Sequence, residues 1–154
     1  MKYDGWTRVA VAMGNRMARL AFPADVEEEN PPLVPIPLSA SRRRERGFNQ
    51  SECVAESVAG ARGADLLTDV LRRESSTRSQ TQLTPGERLG NVAGAFSVPT
   101  ESRHRIKGMH LMLVDDVVTT GATLRAAADA LFAAGARTIS YMTFGRAPAS
   151  GDRL

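Results

Sequence analysis

Apolar residues recur at three- and four-residue spacing from Asp4 to Leu20, where Trp6, Val9, Met13, Met17 and Leu20 mark one face of a predicted amphipathic helix. A polar, proline-ended connector, ADVEEENPP, then leads into LVPIP, Leu33 to Pro37, which reads as a short buried strand. SASRRRERG has no apolar period and predicts a basic loop. In FNQSECVAESVAGARG, Asn49 stands three residues before Glu52, as an N-cap does, Val54, Ala55, Val58 and Ala59 supply an apolar face, and Gly63 supplies a stop. Asp65 to Leu71 resembles a second strand, and the polar run from Arg72 to Leu83 predicts an exposed, mobile loop. Thr84, Pro85 and Glu87 start a short helix towards Asn91. AFSV predicts a strand and SRHRIKG a turn. His110 to Asp115 is the most apolar strand, Thr123 to Ala134 a helix closed by Gly135, and Thr138 to Phe144 a last strand.

Strands alternating with helices predict an α/β fold, a doubly wound and mainly parallel sheet with helices on both faces. A length of 154 residues suits one domain with a sizeable core and is short for two. The expected organisation is a single domain over 1–154, with an N-terminal helix and connector at 1–32 and a flexible loop at 72–83. No apolar run approaches bilayer length, and the first twenty residues lack the compact apolar core of a secretory signal, so a cytoplasmic protein with no membrane association is expected.

Charge and cysteine content narrow the chemistry. One cysteine, Cys53, and two histidines argue against an internal disulfide or a multi-cysteine zinc site, and Cys53 itself reads as an inert packing residue. The net charge is only +3 and aromatic content 5%, which argues against direct nucleic-acid binding through the Arg42 to Arg46 run.

The stretch LMLVDDVVTTGAT, Leu111 to Thr123, carries the candidate chemistry. In an open parallel sheet, ligands sit outside the carboxyl ends of the strands, where loops feed helix N-termini. A helix starting near Ala122 or Thr123 offers unpaired N–H groups and the positive end of its dipole to a phosphate. Gly121 permits close backbone approach, Thr119, Thr120 and Thr123 add hydroxyl donors, and Val117 and Val118 anchor the turn. Asp115 and Asp116 repel a phosphate but can accept hydrogen bonds from the vicinal hydroxyls of a ribose. The competing reading is a strand-to-helix turn without a ligand, capped by Thr119 or Thr120, which needs neither paired aspartates nor so many hydroxyls.

LVDDVVTTGAT resembles the signature by which type I phosphoribosyltransferases bind PRPP, 5-phosphoribosyl 1-diphosphate. The chain further resembles the ComF (competence protein F) family through YDG at Tyr3 to Gly5, VPIPL at Val34 to Leu38, RRRERGFNQSE at Arg42 to Glu52, and the Gln80, Leu83, Arg88, Asn91 and Ala95-Phe96 pattern. That resemblance implies a type I phosphoribosyltransferase-like fold in which Asp115 and Asp116 hold the ribose hydroxyls and Val118, Thr119, Thr120, Gly121, Ala122 and Thr123 wrap the 5-phosphate. It places pyrophosphate at Leu38, Ser39, Ala40, Ser41 and Arg42, and makes 72–83 the flexible loop that closes over the site, with Arg73, Arg78 and Gln80 as candidate diphosphate contacts. Physics agrees for Ser39, Ser41 and Arg42, which offer donors and compensating charge, although four clustered arginines cannot all face one diphosphate. Gly47, Phe48 and Asn49 read as structural: a turn, a core side chain and a helix start.

The implied reaction transfers ribose 5-phosphate from PRPP to an unidentified nitrogen acceptor and releases pyrophosphate, with Mg2+ held mainly by PRPP oxygens rather than by a dedicated protein cage. A non-catalytic PRPP sensor or adaptor, working with DNA-uptake proteins, is the rival reading. The acceptor-covering hood reads as reduced, and the cysteine-rich zinc segments that longer ComF relatives carry before YDG have no counterpart in this sequence.

Overall fold

The structure, a computed structural model, describes residues 4–74 and 94–147. Strands β1 (Leu33–Pro35), β4 (His110–Val118) and β5 (Thr138–Arg146) form a parallel sheet in the order β1-β4-β5. Val34 lies opposite Leu113, and Leu113 opposite Tyr141. Strand β2 (Arg72–Arg73) pairs antiparallel with β3 (Phe96–Ser97) in a separate two-stranded ribbon. Among the described residues no helix is long and apolar enough to cross a membrane.

Side chains alternate across the sheet and so feed two cores. Val34, Leu111 and Leu113 pack on one face with Leu124, Ala127 and Leu131 of α6 (Ala122–Ala133). Leu33, Met112 and Val114 pack on the other with Val54 and Val58 of α4 (Gln50–Arg62) and Met17 of α1 (Asp4–Met17). Helices on both faces of a parallel sheet are the predicted architecture.

Several elements differ from the sequence reading. Helix α1 buries Met17 as expected but turns Trp6 and Val9 to solvent, buries Ala10 as well, and is followed by an exposed Leu20. Small residues win because α1 and α4 approach closely: a Cβ added at Gly14 would lie 2.5 Å from Ser57 Cβ, and Ser57 Oγ donates to the Val11 carbonyl at 3.1 Å. Gly14→Ala is therefore expected to lower stability by about 1–3 kcal/mol through overpacking, read as a fall in the urea midpoint. The connector contains a short helix, α2 (Ala24–Glu29), with Asp25 and Glu27 at its positive end and only Val26 buried. Six residues with one apolar contact are too few to leave a period in the sequence.

SASRRRERG is not a loop but mostly helix α3 (Ala40–Arg46), closed by Gly47 at φ 75°. It buries no residue, so it has no apolar stripe to read, and its formation rests on Ala, Arg and Glu propensity with Ser39 at the N-cap. Asp65 to Leu71 is not a full strand. Leu66 makes an isolated parallel bridge to Leu33, and the chain bends before Val70 and Leu71 re-enter the core. SRHRIKG opens at the last residue of a 3-10 turn (Thr100–Ser102) and continues into α5 (Arg103–Ile106), with Ile106 buried. The expected helix from Thr84 lies outside the described residues.

Candidate functional site

The C-terminal ends of β1 and β4, the start of α4 and the start of α6 converge at one edge of the sheet. Strand β4 continues through Val118, three residues beyond the expected end, because Asp115, Val117 and Val118 keep their register with Thr143, Gly145 and Arg146 of β5. The two aspartates are thus held by strand backbone, and the turn proper is Thr119 to Gly121. Val118 packs against the core while Val117 is exposed, so only the former anchors the turn.

Asp115 is the more constrained acid. Its Oδ1 accepts from Ser51 Oγ at 2.8 Å and from the Asp116 N–H at 3.0 Å. Burial pushes its pKa above the usual carboxylate value; the Ser51 and Asp116 N–H donors oppose that shift, and the neighbouring Asp116 carboxylate adds to it. Asp116 Oδ1 accepts from the Val117 N–H at 2.7 Å. Each carboxylate is thus oriented by donors and can accept a hydrogen bond from a hydroxyl.

Gly121 occupies the N-cap of α6 at φ 77° and ψ 1°, with no side-chain cap. Thr120 Oγ1 accepts from the Ala122 N–H at 3.4 Å, and the N-cap is Gly121 rather than the Thr119 or Thr120 of the competing ligand-free reading. A twelve-residue helix begins with its next N–H groups uncapped, beside the exposed Thr119 and Thr120 and the half-buried Thr123. That is the arrangement an anion needs. Thr119, Thr120 and Gly121 also rim a cavity of about 480 Å³ with an apolar floor, flanked by Arg125 and Arg146. Neither aspartate lines it. Sequence reading missed Arg125 and Arg146, whose place beside the turn follows from the helix and from the length of β5.

The Leu38 to Arg42 segment lies after β1 as expected, but most of it is structured. Ser39 Oγ accepts from the Arg42 N–H at 3.4 Å and lies 3.1 Å from Ser41 Oγ, so Ser39 spends its hydroxyl on starting α3 while Ala40, Ser41 and Arg42 form the first turn. Arg73 belongs to β2 rather than to a loop, with its guanidinium 5.2 Å from the centroid of Phe96. Burial and then Arg42 lower its pKa, while the charge of Asp115 opposes them, so Arg42, Arg73 and Asp115 share one electrostatic neighbourhood. Arg78 and Gln80 lie outside the described residues.

Asn49 starts α4 without capping it. Its Nδ2 donates to the Ile36 carbonyl at 3.1 Å, tying the helix to the end of β1, and its Oδ1 is buried without a partner among the described residues. Phe48 is half-buried rather than fully in the core. The Cys53 thiol has its pKa raised, by burial first and then by Glu56 and Glu52, which disfavours the thiolate. Among the described residues no three His, Cys, Asp or Glu side chains are placed to hold a metal ion. The oxygen donors at hand are those of Asp115 and Asp116, a set suited to a hard cation that keeps its other ligands from substrate and water.

Comparison with known proteins adds three findings. A family model described as the phosphoribosyl transferase domain matches residues 45–153. Competence protein ComFC of Bacillus subtilis is 38% identical over 112 residues, 72% of this chain and 42% of that protein. DNA utilization protein YhgH of Salmonella typhi is 34% identical over 107 residues, 70% of this chain and 45% of that protein. The chain spans about half the length of these relatives. The glutamine phosphoribosylpyrophosphate amidotransferase of B. subtilis superposes with a TM-score of 0.59 at 20% identity, covering 90% of this chain and 26% of that one, a likeness of fold.

Proposed function

Because the chain belongs to the phosphoribosyl transferase domain family, we propose that it binds PRPP and transfers ribose 5-phosphate to a nitrogen nucleophile with release of pyrophosphate. The observation that carries this reading is the placement of Asp115 and Asp116 near the end of β4, with the N-cap of α6, Gly121, five residues beyond Asp116 and without a side-chain cap. Sugar hydroxyls need acceptors and the 5-phosphate needs donors. The chain supplies them in that order along one strand-turn-helix unit.

In the proposed reaction the bond from the anomeric carbon to the diphosphate oxygen breaks as the nitrogen bonds to that carbon, and the nitrogen's proton leaves to solvent. The transition state resembles an oxocarbenium ion, so positioning and charge compensation matter more than covalent catalysis. Asp115 and Asp116 hold the 2- and 3-hydroxyls, and the N–H groups from Thr119 to Thr123 hold the phosphate. Ser41, Arg42 and Arg73 face the departing diphosphate. Magnesium bound chiefly through PRPP would neutralise that leaving group, with the two aspartates near it.

A second reading, a PRPP-sensing adaptor in DNA uptake, is favoured by the names of the relatives, which refer to competence and DNA utilization. Pyrophosphate release from PRPP, measured across a panel of bases and amines with magnesium present, separates the two. Release with one acceptor class supports the transferase. Intact PRPP binding without release from any acceptor would support the adaptor.

A further inference from the structure

Ser51 carries no role in the sequence reading of the site, yet among the described residues it makes the shortest hydrogen bond to Asp115. We infer that Ser51 is a positioning residue of the ribose site, holding the Asp115 carboxylate in one orientation from the first turn of α4. This rests on the reading of Asp115 and Asp116 as ribose acceptors.

Ser51 is 3% exposed, and its Oγ lies 2.8 Å from Asp115 Oδ1 across 64 positions of sequence. The Asp116 N–H donates to the same oxygen at 3.0 Å. Both contacts fall on Oδ1 and so fix the orientation of the carboxylate. The platform carrying Ser51 is itself fixed. Asn49, two residues earlier and 6% exposed, donates to the Ile36 carbonyl, and the Ile36 N–H donates to the Val114 carbonyl at 2.9 Å. The start of α4 is thereby stitched to the ends of both β1 and β4, the two strands that lead into the diphosphate segment and the acidic pair. A hydroxyl so placed has little rotational freedom left to lose when substrate binds.

The groups acting on Asp115 are Ser51 from α4, Asp116 from β4 itself and Arg73 from β2, while Thr143 is its register partner on β5. Ser51 favours the ionised carboxylate, and burial with Asp116 disfavours it. Removing the hydroxyl therefore releases the Asp115 carboxylate from its fixed orientation, a loss that depends on Asp115 and that a purely structural serine would not show.

The test is calorimetric titration with PRPP and magnesium at neutral pH of the wild type, Ser51→Ala, Ser51→Thr, Asp115→Ala and the double variant Ser51→Ala with Asp115→Ala. Ser51→Ala is expected to bind about tenfold more weakly, and Ser51→Thr to restore the wild-type affinity. In the Asp115→Ala background the same serine change is expected to cost little, because the group it positions is gone. If the alanine variant does not fold, Ser51→Cys, similar in size with a poorer donor, is expected to show the same loss. No loss in Ser51→Ala, or an equal loss with and without the Asp115 carboxylate, overturns the positioning role and leaves the ribose site standing. A wild type that binds no PRPP overturns the ribose site and the positioning role together.

Discussion

Asp115→Asn is expected to weaken PRPP binding by about 10–100-fold while making the fold more stable at neutral pH. The loss follows from replacing a charged acceptor at the sugar hydroxyls, each such hydrogen bond being worth about 1.5–3 kcal/mol. Asp115→Asn combined with Asp116→Asn should carry binding below calorimetric detection. The gain in stability follows from the raised pKa of Asp115, which means that the fold prefers its protonated form. Its contribution to stability is complete below the ordinary carboxylate value of 3.8 and is lost as pH rises through the raised value. At neutral pH the wild type therefore carries a partly buried, disfavoured charge that asparagine removes. Thermal unfolding should show a higher midpoint for the variant at neutral pH, by about 2–4 °C for each kcal/mol relieved, with the difference closing in acid. Substrate affinity should run the other way, declining as pH falls and the carboxylate protonates. Opposite pH trends for stability and binding are the signature of an acid placed for function at the expense of the fold.

Gly121→Val carries the second large effect. Gly121 sits at φ 77°, where a β-branched residue is strained by about 1–2 kcal/mol. Space is not the difficulty, since an added Cβ would meet only Val118 Cγ2, at 4.0 Å. The strain is in the backbone, and relaxing it rotates the N–H groups that open α6 away from the bound phosphate. PRPP affinity is expected to fall by about 100-fold, with stability reduced by about 1–2 kcal/mol. Gly121→Ala should fall between the two proteins. Affinity for ribose 5-phosphate should drop in parallel with that for PRPP, because the lost contact is to the 5-phosphate. Inorganic pyrophosphate, which lacks that group, should bind both proteins alike.

The acidic pair, the glycine turn and the following helix were legible in sequence because they form one contiguous unit whose chemistry is local. The parallel sheet was legible too, since His110 to Val114 and the opening of β5 are apolar enough to mark the centre of a covered layer. What escaped was either short or nonlocal. α3 exposes every side chain, so its helical state leaves no hydrophobic period, and its arginines read as a loop. Of the expected inward face of α1, Met17 is buried but Trp6 and Val9 are exposed, since the Gly14–Ser57 approach leaves room only for small residues along part of it. Arg73 was grouped with a polar loop because pairing with Phe96 and Ser97 depends on a strand twenty-odd residues away. Ser51 stands in the RRRERGFNQSE stretch 64 positions before Asp115, and only the fold brings the two together.

The central claim is that one strand-turn-helix unit holds a ribose by two carboxylates and its phosphate by a helix N-terminus. A crystal structure of the protein with PRPP and magnesium tests it most directly. The account predicts the 5-phosphate against the N–H groups from Thr119 to Thr123, and the ribose hydroxyls within hydrogen-bond distance of Asp115 and Asp116. PRPP bound with its 5-phosphate elsewhere, or its ribose turned away from both aspartates, would contradict it.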